Sequence, residues 1–212
     1  MKYLLFANNA KLKQISSNCN LLQQFYSSLP EIEDKDMIMT FNHALPMTTV
    51  FPNLQHPNIH HLSRVNYKNY LGYSGLNIIS KFKNKYKKIY LTPSFKATRK
   101  THKDKVGPRI EDESDFKIKE LDYLKELSQK SLLLKECRKF LGSIDSHKSN
   151  FSTGLIGYLW VKTISDLNID EIYLIGYEMK MNYSHHNPLA ETEYFSNEFN
   201  KGCFNFIDLK CE

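Results

Sequence analysis

The sequence predicts an α/β fold: a single open, mostly parallel sheet flanked by helices in one domain spanning residues 1–212. Two observations carry this. Six short apolar runs are spaced along the chain, several of them continuous and not alternating, as strands covered on both faces require. Helical patterns lie between them, and strand alternating with helix argues for a parallel sheet. The length of 212 residues suffices for a substantial core, and the 41% apolar and 13% aromatic content is that of a globular chain.

In chain order, the predicted strands are 2–6, 37–41, 58–62, 88–91, 171–175 and 204–209. The first, Lys2-Tyr3-Leu4-Leu5-Phe6, is apolar too briefly for a signal peptide or membrane span and reads as a buried strand. Helices are expected over 20–26 and 74–82. A longer one is expected over 116–141, where Leu121, Leu124, Leu127, Leu134 and Phe140 form a helical stripe. Residues 153–167 are apolar nearly all round, which predicts a central helix opened by Ser152 as N-cap. Residues 92–115 hold two prolines, a basic run and an acidic run without periodicity, the pattern of a mobile loop or lid.

Charge is uneven. Residues 81–105 contain ten Lys/Arg against one acid, a local +9 in a chain of net charge +6, which leaves −3 for the remainder. Such a segment suits a phosphorylated substrate or anionic lipid head groups, or is simply a solvated loop. Phe82, Tyr86, Tyr90 and Phe95 follow a helix face and then a strand, not a base-stacking platform, so nucleic acid is not the expected partner. Cys19, Cys137, Cys203 and Cys211 show no metal spacing and read as reduced thiols filling core gaps in a cytoplasmic protein.

Ligands of open α/β sheets bind beyond the carboxyl ends of the strands, and four turns fall there. Asn8 and Asn9 follow the first strand, where an amide can hold a phosphate or sugar hydroxyl or simply cap the turn. Asn42 follows the second, placed for a ribose or base edge. Ser152-Thr153-Gly154 opens the central helix, whose free N–H groups suit an anion and whose glycine permits close approach. Gly176-Tyr177-Glu178 ends the fifth predicted strand and sets the Glu178 carboxylate for ribose hydroxyls. Beyond it lie Lys180, Tyr183, His185 and His186. A histidine near neutral pKa can take a proton from an acceptor hydroxyl, a cation or phenol can stabilise a departing phosphate, and Glu191 can orient the imidazole. His185, His186 and Glu191 do not reproduce a zinc spacing, and His60-His61 reads as a strand-end pair. No GxSxG elbow occurs.

The order of these motifs resembles the small bacterial sialyltransferases that decorate lipo-oligosaccharide, and more loosely the sialyltransferase-like superfamily. Their Gly-Asn-Gly-Pro-Ser turn is similar to Ala7-Asn8-Asn9-Ala10-Lys11, without its glycines. Phe41-Asn42-His43 matches their Asn-containing turn, and Ser152-Thr153-Gly154 their helix start. Gly176-Tyr177-Glu178 stands where they carry Gly-Ile-Asp, and His186 with Glu191 resembles their catalytic histidine and following acid. The resemblance implies a Rossmann-like fold of the glycosyltransferase-A-variant type. It also implies inverting, metal-independent transfer of sialic acid, or a related keto-sugar acid, from a CMP donor to a glycan hydroxyl. His186 would be the base, with Lys180 or Tyr183 beside the leaving group. Ser152, Thr153, Gly154, Gly176, Asn42 and Glu178 would hold CMP, and Asn8 and Asn9 would lie near donor phosphate or sugar. No cofactor is expected beyond the donor. The acceptor would be a glycan or lipo-oligosaccharide, reached from the cytoplasm with peripheral contact to anionic membrane; homo-oligomerisation is left open. The competing readings are a glycosyltransferase of this fold using another nucleotide sugar and a non-catalytic nucleotide- or glycan-binding relative.

Overall fold

The structure is a computed structural model describing residues 1–7, 9–41, 56–64, 86–92, 121–123, 152–177 and 188–209. In chain order its elements are β1 (Lys2–Phe6), α1 (Lys11–Ser16), α2 (Cys19–Ser28), β2 (Met37–Phe41), β3 (Ile59–Arg64), β4 (Lys88–Thr92) and β5 (Leu121–Tyr123). They continue with α3 (Thr153–Ile164), β6 (Glu171–Ile175), α4 (Pro188–Asn200) and β7 (Asn205–Ile207). The seven strands form one sheet in the order β5-β4-β3-β2-β1-β6-β7, and every pairing is parallel. The α/β class follows directly from the sequence pattern.

Central strands are apolar on both sides because both sides are covered. Tyr3, Leu5, Met39, Phe41, Leu62, Ile172 and Leu174 share one core with α3 and with Phe195 of α4. The alternate residues Leu4, Phe6, Ile38 and Ile175 are fully buried as well. Register fixes these faces, with Leu5 beside both Met39 and Leu174, and Phe6 beside both Thr40 and Ile175. Helix α3 is buried continuously from Leu155 to Val161, as its all-round apolarity predicts. Asn18 caps α2 by accepting from the Asn20 and Leu21 N–H groups, and Leu29, extended before Pro30, ends it.

Four expectations need correction. A seventh strand, β5, forms inside the segment read as a helix from 116 to 141. Pairing of Leu121 with Ile89 and Tyr123 with Leu91 satisfies edge backbone groups, and leucine spacing alone does not weigh against that. Residues 11–16, where no helix is expected and Lys11 and Leu12 belong to the turn after the first strand, form α1 and bury Leu12 and Ile15. His60 and His61 lie inside β3 and not at its end; both are buried, and His61 Nδ1 shares a 2.8 Å hydrogen bond with Thr40 Oγ1. Cys19 is exposed and Cys203 half-buried, so neither fills the core, because each stands at an element boundary. The helix expected over 74–82 and the loop 92–115, beyond Thr92, fall outside the described residues. Among the described residues, no helix is long and apolar enough to cross a membrane.

Carboxylates brace the amino edge of the sheet. Asp36 accepts from the Lys2 and Glu33 N–H groups at 2.7 and 2.9 Å. Burial opposes its charge, but these bonds and the Lys2 and Lys35 cations hold its pKa below the ordinary value. The N-terminal ammonium, 2.9 Å from Asp170, lowers that carboxyl despite its partial desolvation. A depressed folded pKa stabilises fully above the unfolded value and ceases to do so as pH falls through the folded one. Unfolding free energy should therefore be level from about pH 5 to 7 and drop below about pH 4. Urea titrations across this range check it; a stability maximum below pH 4 would be the opposite result.

Candidate functional site

The strand order turns at β1. From there the chain builds outward through β2 to β5, and later returns to the other side of β1 with β6 and β7. That reversal makes the carboxyl ends of β1 and β6 the switch point of the sheet, the position at which open α/β sheets bind ligands. Phe6 and Ile175 end the two strands side by side, and the Ala7 N–H donates to the Ile175 carbonyl at 2.9 Å.

Asn9 ties the turns beyond these strands together. Its Nδ2 donates to the Gly176 carbonyl at 2.8 Å, and its Oδ1 accepts from the Lys11 N–H at 2.8 Å, opening α1. The side chain is buried. Of the two uses the sequence suggested for this amide, turn capping is the one these contacts serve. Gly176 lies at φ +69°, where L side chains are strained, and a Cβ there would stand 2.9 Å from Leu209 Cδ1. Glycine is required at this turn for its backbone.

Helix α3 starts at the same edge. Ser152 Oγ accepts from the Leu155 N–H at 3.0 Å, the capping bond expected of a serine before an apolar helix. Ser152 and Thr153 are both buried. The Tyr177 hydroxyl donates to the Gly154 carbonyl at 3.2 Å, and its ring lies 3.1 Å from where a Gly154 Cβ would stand. Gly154 thus serves the approach of this ring, a use that the sequence reading, which assigned it to phosphate approach, did not include. Burial, and secondarily the Glu191 charge, push the Tyr177 phenol well above its ordinary pKa, so it stays a donor. Phe41, at the end of β2, meets the Tyr177 ring edge-on with centroids 6.3 Å apart.

Glu191, in the first turn of α4, is 1% exposed, and its Oε1 accepts from the Ser152 N–H at 2.8 Å. A buried carboxylate thus sits at the positive end of α3, a favourable pairing for the helix dipole. Ser152 stands 39 residues away in the chain; His185 and His186, the imidazoles that Glu191 is expected to orient, lie outside the described residues.

The described residues therefore bring Asn9, Ser152, Thr153, Gly154, Gly176 and Glu191 to one rim. Asn8, Asn42, Glu178, Lys180, Tyr183, His185 and His186 lie outside the described residues. Two rim residues were not singled out from sequence, Tyr177 and Phe41. Their signal was an aromatic at the end of a buried strand, facing a helix with glycines one turn apart at 154 and 157. Among the described residues, no group of three His, Cys, Asp or Glu is placed to hold a metal ion. No family model, no curated protein and no solved structure matches this chain.

Proposed function

We propose that the chain is a glycosyltransferase that moves sialic acid, or a related keto-sugar acid, from a CMP donor to a glycan hydroxyl, with inversion and without a metal. In this reading the fold is Rossmann-like, of the glycosyltransferase-A-variant type, with residues 92–115 as a lid. His186 removes the acceptor proton, His185 standing beside it, and Lys180 or Tyr183 steadies the leaving phosphate. Ser152, Thr153, Gly154, Gly176, Asn42 and Glu178 hold CMP. The acceptor is a lipo-oligosaccharide glycan met at the inner face of the membrane, to which the basic segment 81–105 gives peripheral attraction.

One observation supports this most. The turn after β1, the start of α3 and the turn after β6, which carry the motif resemblance, meet at the switch point of a parallel sheet. Thermal shift against CMP, UDP, GDP and ADP tests it. CMP alone should raise the melting temperature, by the mass-action term that any ligand of the folded state contributes. A response to another nucleotide instead would move the assignment to a different donor. No response to any would remove it.

The internal use of Asn9, Gly154 and Glu191 favours a second reading, a non-catalytic nucleotide- or glycan-binding relative. His186→Ala separates the two. An enzyme loses CMP release while still binding CMP; a binding module has no turnover to lose.

A further inference from the structure

We propose that the Glu191 carboxylate is the resident anion of α3, a specificity-determining group that closes the start of this helix to the phosphate of any ligand at the switch point. The open N–H groups and positive end of a helix otherwise attract an anion, which is what Ser152-Thr153-Gly154 suggests in the sequence. Here the chain supplies its own. Glu191 Oε1 accepts from the Ser152 N–H at 2.8 Å, on a side chain that is 1% exposed in the first turn of α4.

The rest of the turn is largely satisfied from within. The Leu155 N–H donates to Ser152 Oγ at 3.0 Å, and the Ile156 N–H to the Ser152 carbonyl at 3.1 Å. Ser152 and Thr153 are buried. Gly154, the residue that would let a phosphate approach, has the Tyr177 ring 3.1 Å from where its Cβ would stand, and its carbonyl accepts from the Tyr177 hydroxyl at 3.2 Å. That ring packs edge-on against Phe41 at 6.3 Å and Phe195 at 5.7 Å, so it has little freedom to withdraw. Two independent contacts thus occupy what phosphate binding needs, a helix-end donor and bare backbone.

A second anion brought here meets the charge of the first in a site shielded from water, where like charges repel most strongly. Sugar hydroxyls and base edges escape that penalty. Gly154 is half-buried, and its backbone is the part of the turn least covered by protein. For a nucleotide, which rests on the reading above, the nucleoside half therefore faces α3 and the phosphate points away from it.

Amide resonances of the isotope-labelled protein test this residue by residue, with ionic strength held constant. Inorganic phosphate should leave the Ser152, Thr153 and Gly154 amides of wild type unmoved. Glu191→Ala vacates the anion position. Acetate, replacing the lost carboxylate, should then shift these amides saturably and raise the melting temperature, binding at least about tenfold more tightly than in wild type. Glu191→Gln keeps an oxygen on the Ser152 N–H and should take up acetate no better than wild type. Cytidine and CMP should shift Gly154 alike.

Saturable phosphate shifts at these wild-type amides would overturn the proposal, and so would a folded Glu191→Ala that takes up no acetate. A CMP shift at Gly154 that cytidine does not reproduce would overturn the orientation. If neither cytidine nor CMP binds, the glycosyl-transfer reading falls, and the phosphate and acetate titrations still decide whether α3 is closed. If Glu191→Ala does not fold, the wild-type phosphate titration decides alone.

Discussion

Gly157→Ala should destabilise the protein by about 2 kcal/mol and lower its melting temperature by roughly 4–8 °C, although alanine is the better helix former by about 1 kcal/mol. Gly157 lies in the middle of α3, on the side that meets β2. A Cβ there would stand 2.3 Å from Phe41 Cε1 and 2.7 Å from its Cζ. Phe41 is 2% exposed and is also held by the Tyr177 ring, so it has little room to withdraw. Overpacking of a filled core costs about 1–3 kcal/mol, and an overlap this deep belongs at or beyond the upper end. Gly154→Ala provides the contrast. Its nearest contact is 3.1 Å, to one edge of Tyr177, and its net effect should be within about 1 kcal/mol of zero. Thermal unfolding followed by circular dichroism measures both. A higher melting temperature for Gly157→Ala would mean that helix propensity outweighs packing there.

Lys162→Met should cost about 3 kcal/mol, because it strands a buried carboxylate. Glu198 of α4 is 3% exposed and joins the end of α3 to the end of α4. It accepts from the Tyr158 hydroxyl at 3.0 Å, pairs closely with Lys162, and meets the exposed Lys201 at 3.4 Å. Burial works against its charge, and the Lys162 ammonium, the Tyr158 hydroxyl and Lys201 more than offset it, leaving the pKa below the ordinary glutamate value. Removing one partner of such a pair costs more than the pair contributes, since the other charge remains desolvated. Lys201 compensates in part, which places the effect at the lower end of the usual 3–5 kcal/mol. Two signatures follow. Adding Glu198→Gln to Lys162→Met should recover more than half of the loss, and the loss should shrink below about pH 4 as Glu198 takes up a proton. An undiminished deficit in acid would point to lost packing by the lysine stem instead.

The sheet was legible because its central strands are apolar on both faces. Leu4, Leu5, Ile172 and Leu174 permit little else, and the all-round apolarity of 155–161 requires a buried helix against them. β5 was not legible. Leu121 and Tyr123 match a helical leucine spacing as well as a strand, and only the unpaired edge of β4 decides between them. α1 was hidden for a related reason: six residues beginning at Lys11 carry too little periodicity, and its first turn depends on an Asn9 side chain fixed by distant Gly176. At the rim, Ser152 was readable as a local cap, since its partner is three residues away. The bond from Ser152 to Glu191 was not, because nothing in sequence spacing marks a contact between residues in separate helices.

A crystal structure with CMP bound tests most directly whether the switch point at β1 and β6 is the nucleotide site. CMP should lie over the carboxyl ends of these strands, against Ser152–Gly154 and the Gly176–Tyr177 turn, with an imidazole of His185 or His186 facing the sugar position. CMP bound elsewhere on the molecule, or both imidazoles turned away from the bound nucleotide, would contradict it.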